Sequence, residues 1–207
     1  MSKSHEIEYR LVSPADVESL TTILARSFFP VNEFVKRVLP DTALMRDWWA
    51  RVYNEEISNP ACHVLVASDE ATQAIVGVLP MRMIDAKNVA GGFWQKHTWT
   101  ADHGSEWGPP IECQSYYEKQ IMGSEEHFLI ELLAVDYDYR SVGIGKALVK
   151  QACQIADEAN RSIFVQSGSA KGFYLGLGNS FHVEAEPDWD GYKPCLMSRK
   201  PIRKQSS

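Results

Sequence analysis

Gly143 and Gly145 stand between an apolar run, His127 to Val135, and a stretch in which Ile144, Leu148, Ala152, Ile155 and Ala159 recur at helical spacing. Glycines at a strand-to-helix junction let backbone N–H groups approach an anion, and the helix dipole favours the negative charge. The chemistry this spacing predicts is anion binding at Gly143 and Gly145. Lys146 follows in the first helical turn, where a lysine either reaches a phosphate or stands solvated. Two familiar glycine motifs do not fit. A P-loop needs glycine where Arg140 stands and Ser or Thr where Ala147 stands, and a dinucleotide fingerprint needs a small residue where Leu148 stands.

Glu131 is the only acidic residue in the run from His127 to Val135. An unpartnered carboxylate in apolar surroundings favours taking up a proton, which suits a general base, and a salt-bridged structural carboxylate accounts for the same pattern. Trp94, Trp99 and Trp107, with His97, Asp102, His103 and Glu106 among them, are candidates for an acceptor pocket, since aromatic faces and carboxylates both attract cationic amines. A packed cluster that pins a long segment is the other reading. His97 and His103 lack the spacing of metal ligands, and no metal site is expected.

These residues need a scaffold, and 207 residues with 44% hydrophobic content suffice for one compact domain, 1–207. An ordered core is expected over about 7–199, with an aromatic-rich insertion at 85–126 and a basic tail at 200–207. The formal charge of −6 argues against a nucleic-acid partner. Cys62, Cys113, Cys153 and Cys195 are widely spaced, which fits reduced, packed thiols better than a disulfide framework or zinc site. The first residues lack the apolar stretch of a secretory signal, and no apolar run approaches the roughly 20 residues that span a bilayer. A cytoplasmic protein without a membrane partner is expected, with a nuclear location left open.

Ser13-Pro14-Ala15-Asp16 reads as a helix start, and Val17, Leu20, Ile23, Leu24 and Phe28 continue it on one face. A second, aromatic helix is predicted from Asp41 to about Ser58. Cys62 to Ala67 and Ala74 to Leu79 form a hairpin pattern, with Gly77 marking a bulge or a close approach. Between Asp85 and His127 the periodicity fades, and no regular element is predicted. His127 to Val135 reads as one buried strand, followed by the helix from Ile144, a strand at Ile163 to Gln166, a short helix at Lys171 to Leu177 and two closing strands.

Arg140-Ser141-Val142-Gly143-Ile144-Gly145 resembles, position by position, the Arg/Gln-x-x-Gly-x-Gly/Ala signature of the GNAT superfamily of N-acetyltransferases. Leu132 to Asp136 looks like that family's fourth strand, and Ser167 to Gly178 resembles its "S…A…FYxxLG" segment, although Asn179-Ser180 intervene before the next aromatic, Phe181. The resemblance implies a mixed α/β fold: a strongly twisted, mostly antiparallel sheet with one splayed parallel strand pair and flanking helices. It implies acetyl-CoA held by the backbone of Leu133, Ala134 and Val135, by the Arg140 to Gly145 loop and near Ser167, with Tyr174 as the acid that protonates the leaving thiolate. Relatives often carry an acidic residue at the position of Glu131. The implied activity is acetyl transfer to a primary amine of a small molecule by direct attack, in a monomer or homodimer. Protein or peptide N-acetylation and non-catalytic acyl-CoA binding are the alternatives.

Overall fold

The computed structural model describes residues 6–28, 40–85, 101–168, 170–178, 180–189 and 191–202. Its strands are β1 (Ile7–Leu11), β2 (Cys62–Asp69), β3 (Ile75–Ile84), β4 (His127–Ile130), β5 (Ala134–Val135), β6 (Ser162–Ser167), β7 (His182–Ala185) and β8 (Cys195–Arg199). Its α-helices are α1 (Val17–Phe28), α2 (Ala43–Ser58), α3 (Ala101–Met122), α4 (Ile144–Glu158) and α5 (Lys171–Gly176). One sheet runs in the order β1-β2-β3-β4-β6-β8-β7, with β5 also paired to β3. The β4–β6 pair is parallel, whereas β1–β2, β3–β5, β6–β8 and β7–β8 are antiparallel. This is the mixed α/β sheet that the sequence predicts.

Two compact units divide the chain, Met1–Met81 with Leu132–Val149, and Arg82–Glu131 with Lys150–Ser207. In the first, a 3-10 turn at Pro14–Asp16 leads into α1. Asp16 accepts hydrogen bonds from the Ser13 N–H at 2.7 Å and the Ser13 hydroxyl at 2.8 Å, which ties down the helix start. Leu20, Ile23 and Leu24 are buried, as their spacing predicts, and α1 packs against α2 and β5. α2 begins at Thr42, whose side chain caps the Met45 N–H, and it buries Trp48, Trp49, Val52 and Tyr53.

The second unit is built on the parallel pair. Phe164 of β6 and Leu129 of β4 join Ile84, Met122 and Leu196 in one buried cluster, against which Tyr117 and Ile121 pack. α3 crosses residues for which the sequence predicts no regular element, including Gly108-Pro109-Pro110. The helix is set by packing: Cys113, Tyr117 and Ile121 recur every four residues on the face turned to that cluster, and burial overrides poor local propensity.

His127 to Val135 is two strands, not the single one expected. β4 pairs with β6 as far as Ile130↔Val165, and β5 pairs with β3 through Val78↔Ala134 and Gly77↔Val135. Extending that register sets Pro80 opposite Leu132, and a residue without an N–H cannot continue the ladder there.

Candidate active site

In the first unit the loop between β5 and α4 is fastened at several points. Asp136 receives the Asp138 N–H at 3.0 Å and starts a 3-10 turn, Tyr137–Tyr139. The Arg26 guanidinium of α1 meets Asp136 at 3.1 Å and Asp138 at 2.8 Å. The Tyr139 hydroxyl donates to Asp69, at the end of β2, at 2.8 Å. Arg140 donates to the Ser27 carbonyl of α1 at 2.7 Å and to the Val135 carbonyl at 3.4 Å, with its guanidinium 5.3 Å from the centre of the Tyr137 ring. Its side chain thus anchors the loop and caps the C-terminal end of α1.

Beyond Arg140 the chain passes through Ser141 at φ 65° and Gly143 at φ 95°, both left-handed, before α4 begins. Only glycine adopts the Gly143 conformation at little cost. The first intrahelical bond runs from the Ala147 N–H to the Gly143 carbonyl at 3.0 Å, so Gly143, Ile144, Gly145 and Lys146 present the four N–H groups that an α-helix start leaves without intrahelical partners. Arg140, Ser141, Val142, Gly143 and Lys146 are exposed, whereas Ile144 is buried as the anchor of α4 on the sheet. That anchoring depends on Gly77 of β3, where a Cβ would come within 2.7 Å of Ile144 and 3.0 Å of Leu148. Gly77 therefore marks a close approach, one of the two readings the sequence allows. Leu133 is half-buried, and Ala134 and Val135 form β5.

Tyr174 lies in the second unit, 4% exposed on α5, with Phe173 and Phe181 each 5.2 Å away centre to centre. Burial first, and the neighbouring Cys153 second, push its phenol well above the ordinary value. Ser167 is buried at the end of β6 and accepts the Ala170 N–H at 3.1 Å, immediately before α5. Gly178 at φ 67° and Ser180 at φ 62° have left-handed backbone, and Phe181 packs on Tyr174.

Glu131 follows β4 with its side chain 1% exposed, and it is ion-paired through Oε1 to Nη2 of Arg82, whose side chain is 6% exposed. Oε2 is buried with no hydrogen-bond partner among the described residues. Arg82 is the residue that the sequence does not announce, because its partner lies 49 positions away. Trp94, Trp99 and His97 lie outside the described residues, and Trp107 falls within α3. Among the described residues no three His, Cys, Asp or Glu side chains cluster as metal ligands do, and no helix is long and apolar enough to cross a membrane.

A left-handed glycine, a helix start rich in unpartnered amides and an exposed loop suit an anion. Mosquito arylalkylamine N-acetyltransferase-like 5b superposes with a TM-score of 0.68 at 17% identity, covering 94% of this chain and 100% of its own. The C-terminal condensation domain of Ebony, in complex with beta-alanyl-dopamine, gives 0.70 at 10% identity over 95% and 100%. PaiA N-acetyltransferase from Thermoplasma acidophilum, in complex with coenzyme A, gives 0.53 at 18% identity over 94% and 99%. No curated protein matches the chain in sequence at a significant level. The model of the acetyltransferase (GNAT) family matches residues 18–178, and the chain belongs to that family.

Proposed function

We propose that the protein transfers an acetyl group from acetyl-CoA to a primary amine of a small molecule. The observation that carries this reading is the start of α4, where Gly143 at φ 95° and the amides of Gly143 to Lys146 suit the coenzyme's pyrophosphate. Val135, with Leu133 and Ala134, supplies further backbone contacts in the proposal, and Ser167 a polar one. Acetyl-CoA brings an activated thioester. The amine nitrogen bonds to its carbonyl carbon, the C–S bond breaks, and the thiolate needs a proton as the new ammonium loses one. Tyr174 is the proposed donor on the family resemblance; burial keeps its phenol protonated but makes it a weaker acid, so the proton moves only as charge builds on the sulfur. Glu131 is the proposed acceptor, directly or through water, by way of the Oε2 that Arg82 leaves free.

Direct attack is favoured over an acyl-cysteine intermediate. Cys113, Cys153 and Cys195 are free but buried, and burial raises each thiol, Cys153 to about 11, so they stay protonated and poorly nucleophilic. Small amines are favoured as acceptors because two of the similar structures are named for, or hold, arylalkylamines or an acylated amine.

Calorimetric titration with acetyl-CoA tests the reading, run beside a Gly143→Glu, Gly145→Glu variant whose carboxylates repel phosphate. Binding to the wild type alone supports the site and opens an amine screen. No binding to the wild type sinks it.

A further inference from the structure

Gln166 is the one polar residue of the described β6 core, Ile163 to Gln166, and it shares a sheet face with the buried Phe164. Its amide nitrogen donates to the Pro110 carbonyl of α3 at 3.0 Å and to the Tyr192 hydroxyl at 3.2 Å. A carbonyl only accepts, so the Pro110 contact fixes which end of the amide is nitrogen and leaves Oε1 as an acceptor. Oε1 is buried and has no hydrogen-bond partner among the described residues. An unmatched buried acceptor is a standing cost that a bound N–H removes.

Aromatic rings gather on the same elements. Tyr192 is held to Trp189 by a pair of backbone hydrogen bonds of 2.9 Å across the β7–β8 hairpin. The Trp189 ring lies 5.4 Å from Tyr116 and 6.0 Å from Tyr117 of α3, and those two tyrosines meet edge to face at 5.0 Å. Tyr116 is 50% exposed, and Trp189 and Tyr192 are half-buried, so ring surface remains open to a ligand. Among the described residues of the hairpin, the carboxylate of Asp188 pairs with Lys193 at 3.0 Å and that of Glu186 with Lys171 at 2.6 Å. Among the described residues the patch thus offers ring faces and one amide oxygen, a better match to a ring carrying a single amine than to a polycation.

We propose that Tyr116, Tyr117 and Trp189, with the free amide oxygen of Gln166, recognise the acceptor as an aromatic primary amine. This rests on the acetyl-transfer reading above. The rings hold the aryl group edge to face, and Gln166 accepts an N–H from the ligand.

The test compares kcat/KM for 2-phenylethylamine and n-hexylamine, with acetyl-CoA saturating, in the wild type and in Trp189→Leu, Tyr116→Leu and Gln166→Leu. Retained acetyl-CoA binding by calorimetry certifies that each variant is folded. A wild-type preference of about ten-fold or more for the aryl amine, falling toward parity in the variants, is expected. Parity in the wild type, or a preference untouched by all three changes, overturns the inference and leaves the enzyme reading standing. Should neither amine turn over, saturation-transfer NMR with 2-phenylethylamine decides. Binding that Trp189→Leu abolishes upholds the aryl site while sinking acetyl transfer, and absence of binding overturns the site.

Discussion

Tyr174 has an environment that keeps its proton in place: two aromatic neighbours, near-complete burial and a thiol nearby all disfavour the phenolate. A phenol held this way is protonated in the resting protein and is a weaker acid than a solvated one, so in the proposed role it gives up its proton only as the thiolate develops. Tyr174→Phe keeps the ring packing and removes only the hydroxyl. Turnover is expected to fall about 100-fold with the acetyl-CoA dissociation constant unchanged, and steady-state rates beside calorimetry check it. A wild-type rate removes the acid assignment. Glu131 carries a structural burden as well, since its partner Arg82 is also buried. Glu131→Gln is expected to cost about 3–5 kcal/mol of stability, because it removes one charge of a buried ion pair. Proton acceptance makes a second, separable prediction for the same variant: the rate loss grows as pH falls, where free amine is scarce. A pH–rate profile parallel to wild type leaves Glu131 with the structural part alone.

At the scale of elements, the helix that follows the proposed phosphate-binding loop was legible in the sequence. Ile144 and Leu148 keep helical spacing, and both prove buried against the strand that holds Gly77. The three elements constrain one another, so a methyl group added on β3 must push on the first turn of α4. Gly77→Ala is expected to destabilise the fold by about 1–3 kcal/mol through overpacking and to weaken acetyl-CoA binding, read by urea denaturation and calorimetry. Lost stability with unaltered affinity shows that the helix start adjusts on its own. Less legible were the features made by distant residues. The break between β4 and β5 depends on where Pro80 falls in the register with β5, and α3 forms across two prolines because Cys113, Tyr117 and Ile121 find a core assembled from other elements. Arg26 and Asp136, which fasten the loop to α1, stand 110 positions apart. Periodicity reports one element's own faces; it says nothing of which face meets which. The spacing of Ile163 to Gln166 predicts a strand, and the unmatched acceptor of Gln166 depends on Pro110 and Tyr192, which lie far from it in sequence.

Taken over the whole molecule, several carboxylates are held ionised by the folded state. Hydrogen bonds from the Arg10 guanidinium at 2.7 and 2.9 Å, with the Ser13 donors, pull Asp16 down to about 2. Arg46 lowers Asp41, Ser162 and Lys200 lower Glu125, and Lys193 lowers Asp188. Every one of these shifts has the same sign. A carboxylate whose folded value lies below its unfolded value contributes stability above the unfolded value and loses it as pH falls through the folded one. For Asp16 the window runs from the ordinary aspartate value of 3.8 down to about 2. The urea midpoint, followed by tryptophan fluorescence, is therefore expected to stay level from pH 7 to about 5 and to drop steadily toward pH 2. Asp16→Asn removes both the charge and the anchor of the turn before α1. It should lower the neutral plateau and shallow the acid limb, so that variant and wild type converge near pH 2. Two curves that remain parallel throughout would show that the Arg10–Asp16 contact is as strong in the unfolded chain as in the fold, and the acid sensitivity would then belong to the other three carboxylates.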